Sequence, residues 1–303
     1  MLNINLFRPI TFDNKYILDR YLEAFPQFHS EYSPVTILSW EHYSPCYFAE
    51  YKNHLIIDCI YDGKHSFHFP IGDFNPDLVS ELVTFAHSLD ASISVFDEAL
   101  LEPISKLFPN LIVEEQDGYF EYCYKSETLA YLPGKKYVGI RGQINKFHRE
   151  YTYTVENITS KNRPEVLQMI RTWSIDKNAE SNYTLSEESR AVSISFSHWD
   201  DLNLEGICIR MDDGCIGAAS IWETSQTDMV LIHYEKGLKR YPGIFKIINQ
   251  ETARRLKERY VWINREGDMK EPGLRESKRR YHPERFVKAF SLDTHLIDDT
   301  THM

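Results

Sequence analysis

The stretch Asp228–Phe290, DMVLIHYEKGLKRYPGIFKIINQETARRLKERYVWINREGDMKEPGLRESKRRYHPERFVKAF, decides how the chain is read. Its apolar pattern predicts a strand over Asp228–Glu235, a tight loop over Lys236–Pro242 and a helix over Gly243–Arg259. A buried strand (Tyr260–Asn264), a helix near Pro272–Tyr281 and a last strand near Arg285–Phe290 complete it. The loop sets Lys236, Lys239 and Arg240 beside Gly237, Pro242 and Gly243, where the helix begins. The first amides of a helix have no partners within it, and the dipole there favours an anion. One expectation is a phosphate held by Lys239, Arg240, Tyr241 and the amides of Gly243, Ile244 and Phe245. The other is a plain turn centred on Pro242 and Gly243. The loop is neither a Walker A sequence nor a G-x-G-x-x-G.

Outward from this unit, the first half of the chain shows the same order. A helix opens at Thr11 and runs to about Phe25. Strands follow over Cys46–Tyr51, Leu55–Tyr61 and Ser66–Pro70, with turns at Lys52-Asn53 and Asp62-Gly63. Next come a helix (Pro76–Ser88), a strand (Ser92–Phe96), a short helix (Glu98–Leu107) and strands near Leu111–Val113 and Tyr119–Tyr124. Ser126–Tyr151 reads as a basic helical connector. Tyr137, Ile140, Ile144 and Phe147 fall on one face, and Lys135, Lys136, Arg141, Lys146 and Arg149 supply the charge. The second half continues with a strand at Thr152–Val155, helices at Arg163–Asp176 and Ser186–His198, and strands at Leu204–Arg210 and Cys215–Trp222. Two copies of one pattern predict an α/β chain of two similar domains, residues 1–125 and 126–303.

Composition narrows the function classes. With 303 residues, 42% hydrophobic and 14% aromatic, the chain supports a packed core. A net charge of −11 argues against a general DNA-binding surface. The five cysteines form no C-x-x-C, and four lie in apolar strand-like runs. They are expected to be free core thiols in a reducing, cytoplasmic compartment, with no disulfides and no zinc. His65 and His68 fall on opposite faces of a strand, so no metal site is expected. Neither a signal peptide nor a membrane span is read from the sequence.

Helix, antiparallel meander, helix, strand, helix, strand is similar to the order of GNAT-type N-acyltransferases. The segments GKKYVGIRGQINKFHREY (Gly134–Tyr151) and INREGDMKEPGLRESKRRYHPERF (Ile263–Phe286) carry a closer likeness. They resemble a bacterial family of unknown function grouped with the C-terminal domain of phosphatidylglycerol lysyltransferase, whose members look like tandem GNAT domains akin to Fem-type aminoacyltransferases. The resemblance implies mixed sheets flanked by helices. It implies coenzyme A or an acyl-CoA at the Lys236–Phe245 loop, Asn264 at the end of the fifth strand, and Tyr281 as the acid that protonates the leaving group.

Acyl transfer needs a base, an oxyanion donor and an acid. His233 and Glu235 share one face of their strand, and either is a candidate base. Arg265, Glu266 and Asp268 lie past a strand's C-terminal end, where ligands collect in open sheets. Arg141 and Lys278 belong to two basic clusters that are candidates for holding substrate. The expected reaction moves an acyl group from a CoA thioester to a small-molecule or peptide amine at a site in the C-terminal domain. The alternatives are an aminoacyl-tRNA-dependent transferase and a non-catalytic binding module on the same fold.

Overall fold

The computed structural model describes residues 1–177 and 183–294. They form two compact units that interleave along the chain. Among the described residues, the first contains Met1–Glu121, Gly267–Lys270 and 287–294; the second contains Tyr122–Glu266 and Glu271–Phe286.

The first unit holds β1 (Arg8–Pro9), α1 (Lys15–Ala24), α2 (Pro34–Ser39), β2 (Cys46–Tyr51), β3 (His54–Tyr61), β4 (Lys64–His68), α3 (Pro76–Ser88), β5 (Ser92–Val95), α4 (Leu101–Leu107) and β6 (Ile112–Glu115). Both hairpin turns have positive φ at their two central residues, Lys52-Asn53 and Asp62-Gly63, as two-residue hairpins demand. Asn75 caps α3 by accepting from the Leu78 amide, with Pro76 in the first turn. Leu78, Val79, Leu82, Val83 and Ala86 recur at helical spacing and pack on Ile56, Phe67, Ile93 and Val95 of the sheet. Each such fully buried aliphatic side chain contributes about 1.5–3 kcal/mol.

The second unit is built from β7 (Glu121–Lys125), α5 (Ser126–Tyr131), α6 (Val138–Glu150), β8 (Tyr153–Asn157), α7 (Arg163–Asp176), α8 (Tyr183–Ser197), β9 (Leu204–Met211), β10 (Ile216–Glu223), β11 (Met229–Gly237), α9 (Ile244–Leu256), β12 (Trp262–Asn264), α10 (Pro272–Arg279) and β13 (Arg285–Val287). The basic connector is two helices, not one. Leu132 and Gly134, both at positive φ, break it between α5 and α6. Along β11 the side chains alternate. Tyr234 bonds Ser195 of α8 and Lys236 reaches Trp173 of α7, whereas Glu235 turns to Asn249 of α9. Helices therefore cover both faces.

The site is positioned by one break in pairing. β11 and β12 run parallel only over Met229–Leu231 and Trp262–Asn264. Past that point β11 stays with β10 as far as Gly237, while the chain after β12 bonds Tyr122 through the Arg265 amide. α9 starts beside the resulting opening. Gly243 enters it at φ +100, and Ile244 fits against Gly237, where an added Cβ would stand 2.9 Å from the Ile244 Cγ2.

Two expectations are corrected here. The strand near Tyr119–Tyr124 is expected in the first half, while the expected last strand near Arg285–Phe290 is β13 in the second unit's sheet, and a further strand beyond it is not expected. In the structure β7 pairs with β12 in the second unit's sheet, ordered β13-β7-β12-β11-β10-β9-β8. The C-terminal β14 (Phe290–Asp293) sits in the first unit's sheet, ordered β1-β2-β3-β4-β5-β14-β6. Each half thus supplies an interior strand to the other's sheet. The expectation of five free thiols also fails. Cys46 and Cys59 are direct partners across β2 and β3 and are disulfide-bonded. Cys123, Cys208 and Cys215 are free.

Two outcomes follow. Thiol titration of the unfolded, unreduced protein should count three cysteines, and reduction should lower stability by about 2–4 kcal/mol through the lost loop constraint; a count of five would remove the bond. Cutting the chain after Lys125 should leave two fragments that each lack an interior strand. Neither alone should show the sharp cooperative thermal transition of the whole chain, whereas the mixed fragments should recover it.

Candidate active site

Glu235 and Arg265 face one another where β11 and β12 part. Arg265 Nη2 donates to Glu235 Oε1 at 2.7 Å, and Asn249 Nδ2 donates to Glu235 Oε2 at a long 3.4 Å. Both charged side chains are nearly buried, 14% and 11% exposed. Such a pair persists in a dry place because each charge compensates the other. Burial works against the Arg265 charge, and Glu235 beside it wins, holding the guanidinium firmly protonated.

Tyr281 completes this group. The guanidinium of Arg265 stands 5.3 Å from its ring centre, and Lys246 Nζ of α9 stands 5.8 Å from it. The ring is 3% exposed, and its hydroxyl has no hydrogen-bond partner among the described residues. Buried hydroxyls are ordinarily bonded, so an orphan at this place is a functional signal. Burial pushes the phenol well above its usual value, against the pull of Arg265, so it stays protonated at neutral pH. Tyr281 is anchored by its backbone: its carbonyl accepts from the Tyr137 hydroxyl at 2.9 Å.

His233, on the same face as Glu235, makes a second cluster. Its Nδ1 lies 2.9 Å from Glu266 Oε1 and its Nε2 lies 3.3 Å from Glu223 Oε2. Burial alone would lower its pKa. The hydrogen bonds to Glu223 and Glu266 outweigh that and raise it to about 9. At neutral pH the ring is an imidazolium that donates from both nitrogens, with no lone pair left to take a proton.

The remaining expected residues fall into different settings. Asn264 is fully buried, and its Oδ1 accepts from the Glu266 amide, shaping the turn that presents Arg265 and Glu266. Lys278 is 7% exposed and donates to the Arg265 and Glu266 carbonyls at 2.6 and 3.0 Å, so it braces the same turn. Arg141 donates to the Leu132 and Gly134 carbonyls at the connector break. Asp268 belongs to the first unit, where its carboxylate accepts from the Lys270 amide. In the loop before α9, Lys236 is bound to Glu188 at 2.7 Å and Tyr241 donates to Asp213 at 2.6 Å. The Ile244 amide donates to the Tyr241 carbonyl, Phe245 is half-buried and Arg240 lies over the Tyr241 ring. Of the loop's cations, Lys239 and Arg240 stay exposed.

Sequence reasoning missed Lys246, Asn249 and Glu223. Lys246 and Asn249 sit three apart on α9, amid the apolar positions Ile244, Ile247 and Ile248 that mark its buried side. Polar residues breaking into a buried stripe were the available signal. Glu223 ends β10 opposite Leu231, and only the strand register reveals it.

The model of the family described as phosphatidylglycerol lysyltransferase, C-terminal, matches residues 22–292. Among solved structures, a conserved protein of unknown function from Bacteroides thetaiotaomicron VPI-5482 is similar at a TM-score of 0.87 and 23% identity, over 94% of this chain and 98% of that one. The C-terminal domain of a protein assigned as a lysylphosphatidylglycerol synthetase from Agrobacterium fabrum is similar at 0.63 and 17%, over 92% of each chain. FemX is similar at 0.58 and 9%, over 94% and 96%. No curated protein matches the chain. At these identities the likeness concerns the fold, which is α/β with two mixed sheets flanked by helices. Among the described residues no helix is long and apolar enough to cross a membrane.

The His233 cluster yields a pH-dependent stability. The folded pKa of about 9 lies above the ordinary 6.5, so its contribution is complete below pH 6.5 and is lost as pH rises through 9. The loss should be on the order of 3 kcal/mol. Urea unfolding from about pH 6 to about pH 10 measures it, and His233→Gln should flatten that part of the profile; an unchanged slope in the variant would assign the effect elsewhere.

Proposed function

The chain belongs to the family of the C-terminal domain of phosphatidylglycerol lysyltransferase, and from that premise we propose that it is an aminoacyltransferase, moving an aminoacyl group from the ester of an aminoacyl-tRNA to an acceptor nucleophile. The observation that carries this reading is the buried, unpartnered Tyr281 hydroxyl beside the Arg265–Glu235 pair. An acid whose proton is kept by burial, a fixed cation and a carboxylate are the three groups that transfer from an ester requires.

In this reading the acceptor attacks the ester carbonyl, forming the new bond to carbon. Glu235 takes the acceptor's proton through Oε2, its more loosely bonded oxygen. Arg265 holds the oxyanion that forms. As the bond from carbon to the ribose oxygen breaks, Tyr281 gives its proton to that oxygen, and solvent returns the proton from Glu235 to the phenolate. His233, clamped as an imidazolium, holds Glu266 and the turn rather than acting as the base.

A CoA thioester as donor draws less support. Lys236, Tyr241 and the Ile244 amide of the expected phosphate loop are engaged by the protein itself, leaving Lys239 and Arg240. The family is named for a lysyl transfer to phosphatidylglycerol, so that lipid is the first acceptor to test.

The experiment uses tRNA charged with labelled amino acids and phosphatidylglycerol vesicles, with label in the lipid fraction as readout. Transfer should occur, and Tyr281→Phe should slow it about 10²–10⁴-fold. Because the hydroxyl is buried without a partner, the same variant should keep or raise the thermal stability. Full activity in Tyr281→Phe would take the phenol out of the chemistry. No transfer to lipid or amine, together with a thermal shift on adding acetyl-CoA, would return the donor to a thioester.

A further inference from the structure

We infer that Lys246, with Arg265 and the Tyr281 hydroxyl, forms a binding site for a phosphate-type oxyanion carried by a substrate. The site lies inside the first turn of α9 and is distinct from the exposed Lys239–Arg240 loop that precedes the helix.

Lys246 and Arg265 approach the same ring, that of Tyr281, at 5.8 and 5.3 Å. The carboxylate among them is Glu235, and it is bound to Arg265 at 2.7 Å. Arg280, which follows α10, is exposed and paired with the exposed Glu276, and its charge adds to that felt by Lys246 and Tyr281. Lys246 is half-buried; among the described residues it makes no ion pair, and Glu235, the carboxylate that acts on it, is bound to Arg265. The cluster therefore carries an unbalanced positive charge in a partly dry place. Burial, then the charges of Arg280 and Arg265, lower the lysine's pKa.

A cation left without a counter-charge away from water is destabilising by itself. A cation–π contact at the outer limit of reach offsets little of that. An incoming oxyanion would change the balance. It would accept from the ammonium, meet the guanidinium of Arg265 and accept a hydrogen bond from the Tyr281 hydroxyl, which has no acceptor among the described residues. Phosphate suits this set better than a halide, because several donors converge from different elements on one group with many acceptor atoms.

The test is thermal unfolding of the whole chain against inorganic phosphate, with ionic strength held constant by chloride so that screening is unchanged. Phosphate should raise the melting temperature in a saturable way. Lys246→Met, which keeps the length of the side chain, should weaken the apparent affinity about 10- to 100-fold, as loss of one hydrogen bond to a charged group implies. Without phosphate the same variant should melt at or above the temperature of the parent, because the unbalanced charge is gone. Lys239→Met should leave the phosphate response intact. Equal responses in the parent and in Lys246→Met, or no response in either, would overturn the site; a response lost in Lys239→Met would move it to the loop.

Glycerol 3-phosphate and adenosine monophosphate then distinguish a headgroup phosphate from a nucleotide phosphate, the tighter of the two naming the source. None of these readouts requires aminoacyl transfer. The phosphate site therefore fails or stands separately from the proposed reaction, although its place beside Tyr281 ties its meaning to that reading.

Discussion

β11 and β12 stay together for three residue pairs and then separate. Most of what the second unit does depends on that short parallel contact. Two strands that diverge leave polar backbone and open space at the middle of a sheet, a place that ordinarily admits neither. The protein fills it with side chains in place of a ladder. Glu235 comes from one strand, Arg265 from the end of the other and Asn249 from the helix that starts beside the gap. Lys278 and Asn264 then secure the turn after β12 by bonding its backbone, so that Arg265 and Glu266 are held without spending their own charges on it.

The consequence is a dry region with several charges, in which each group's behaviour follows from its neighbours. His233 lies between two carboxylates and is protonated. Tyr281 lies among cations, yet burial dominates and keeps its proton in place. Lys246 has its pKa lowered by burial first and then by the charges of Arg280 and Arg265. One small region thus contains an acid, a fixed cation and an amine with a lowered pKa, separated by local environment and not by distance along the chain.

Much of this was legible in the sequence. Period-two alternation put His233 and Glu235 on one face, and the turn signals placed the loop, Gly243 and the helix after it. Tyr281 was found by its likeness to a family's position, not by any local pattern. Cys46 and Cys59 were legible and overlooked. A two-residue turn at Lys52-Asn53 sets the register of β2 and β3 and brings those two cysteines opposite. Glu223 and Lys246 were not readable as a site, because only packing brings β10 and α9 to the same region. Arg141 and Lys278 looked like ligand-binding charges and are backbone braces, since sequence alone does not tell a solvated cation from one that bonds carbonyls.

The interior place of β14 bears on how the protein is made. β14 lies between β5 and β6, yet it is synthesised about 175 residues after β6 ends. At translation rates of about 5–20 residues per second, that is a wait of roughly 9 to 35 s. During it the first unit has its helices and most of its sheet but an open slot with unpaired backbone on both sides. A nascent chain in that state is a target for other strands, including those of neighbouring chains on the same message. The first part of the protein to leave the ribosome is therefore among the last to finish folding, and its yield is set by how well the open slot is shielded until the C-terminus arrives.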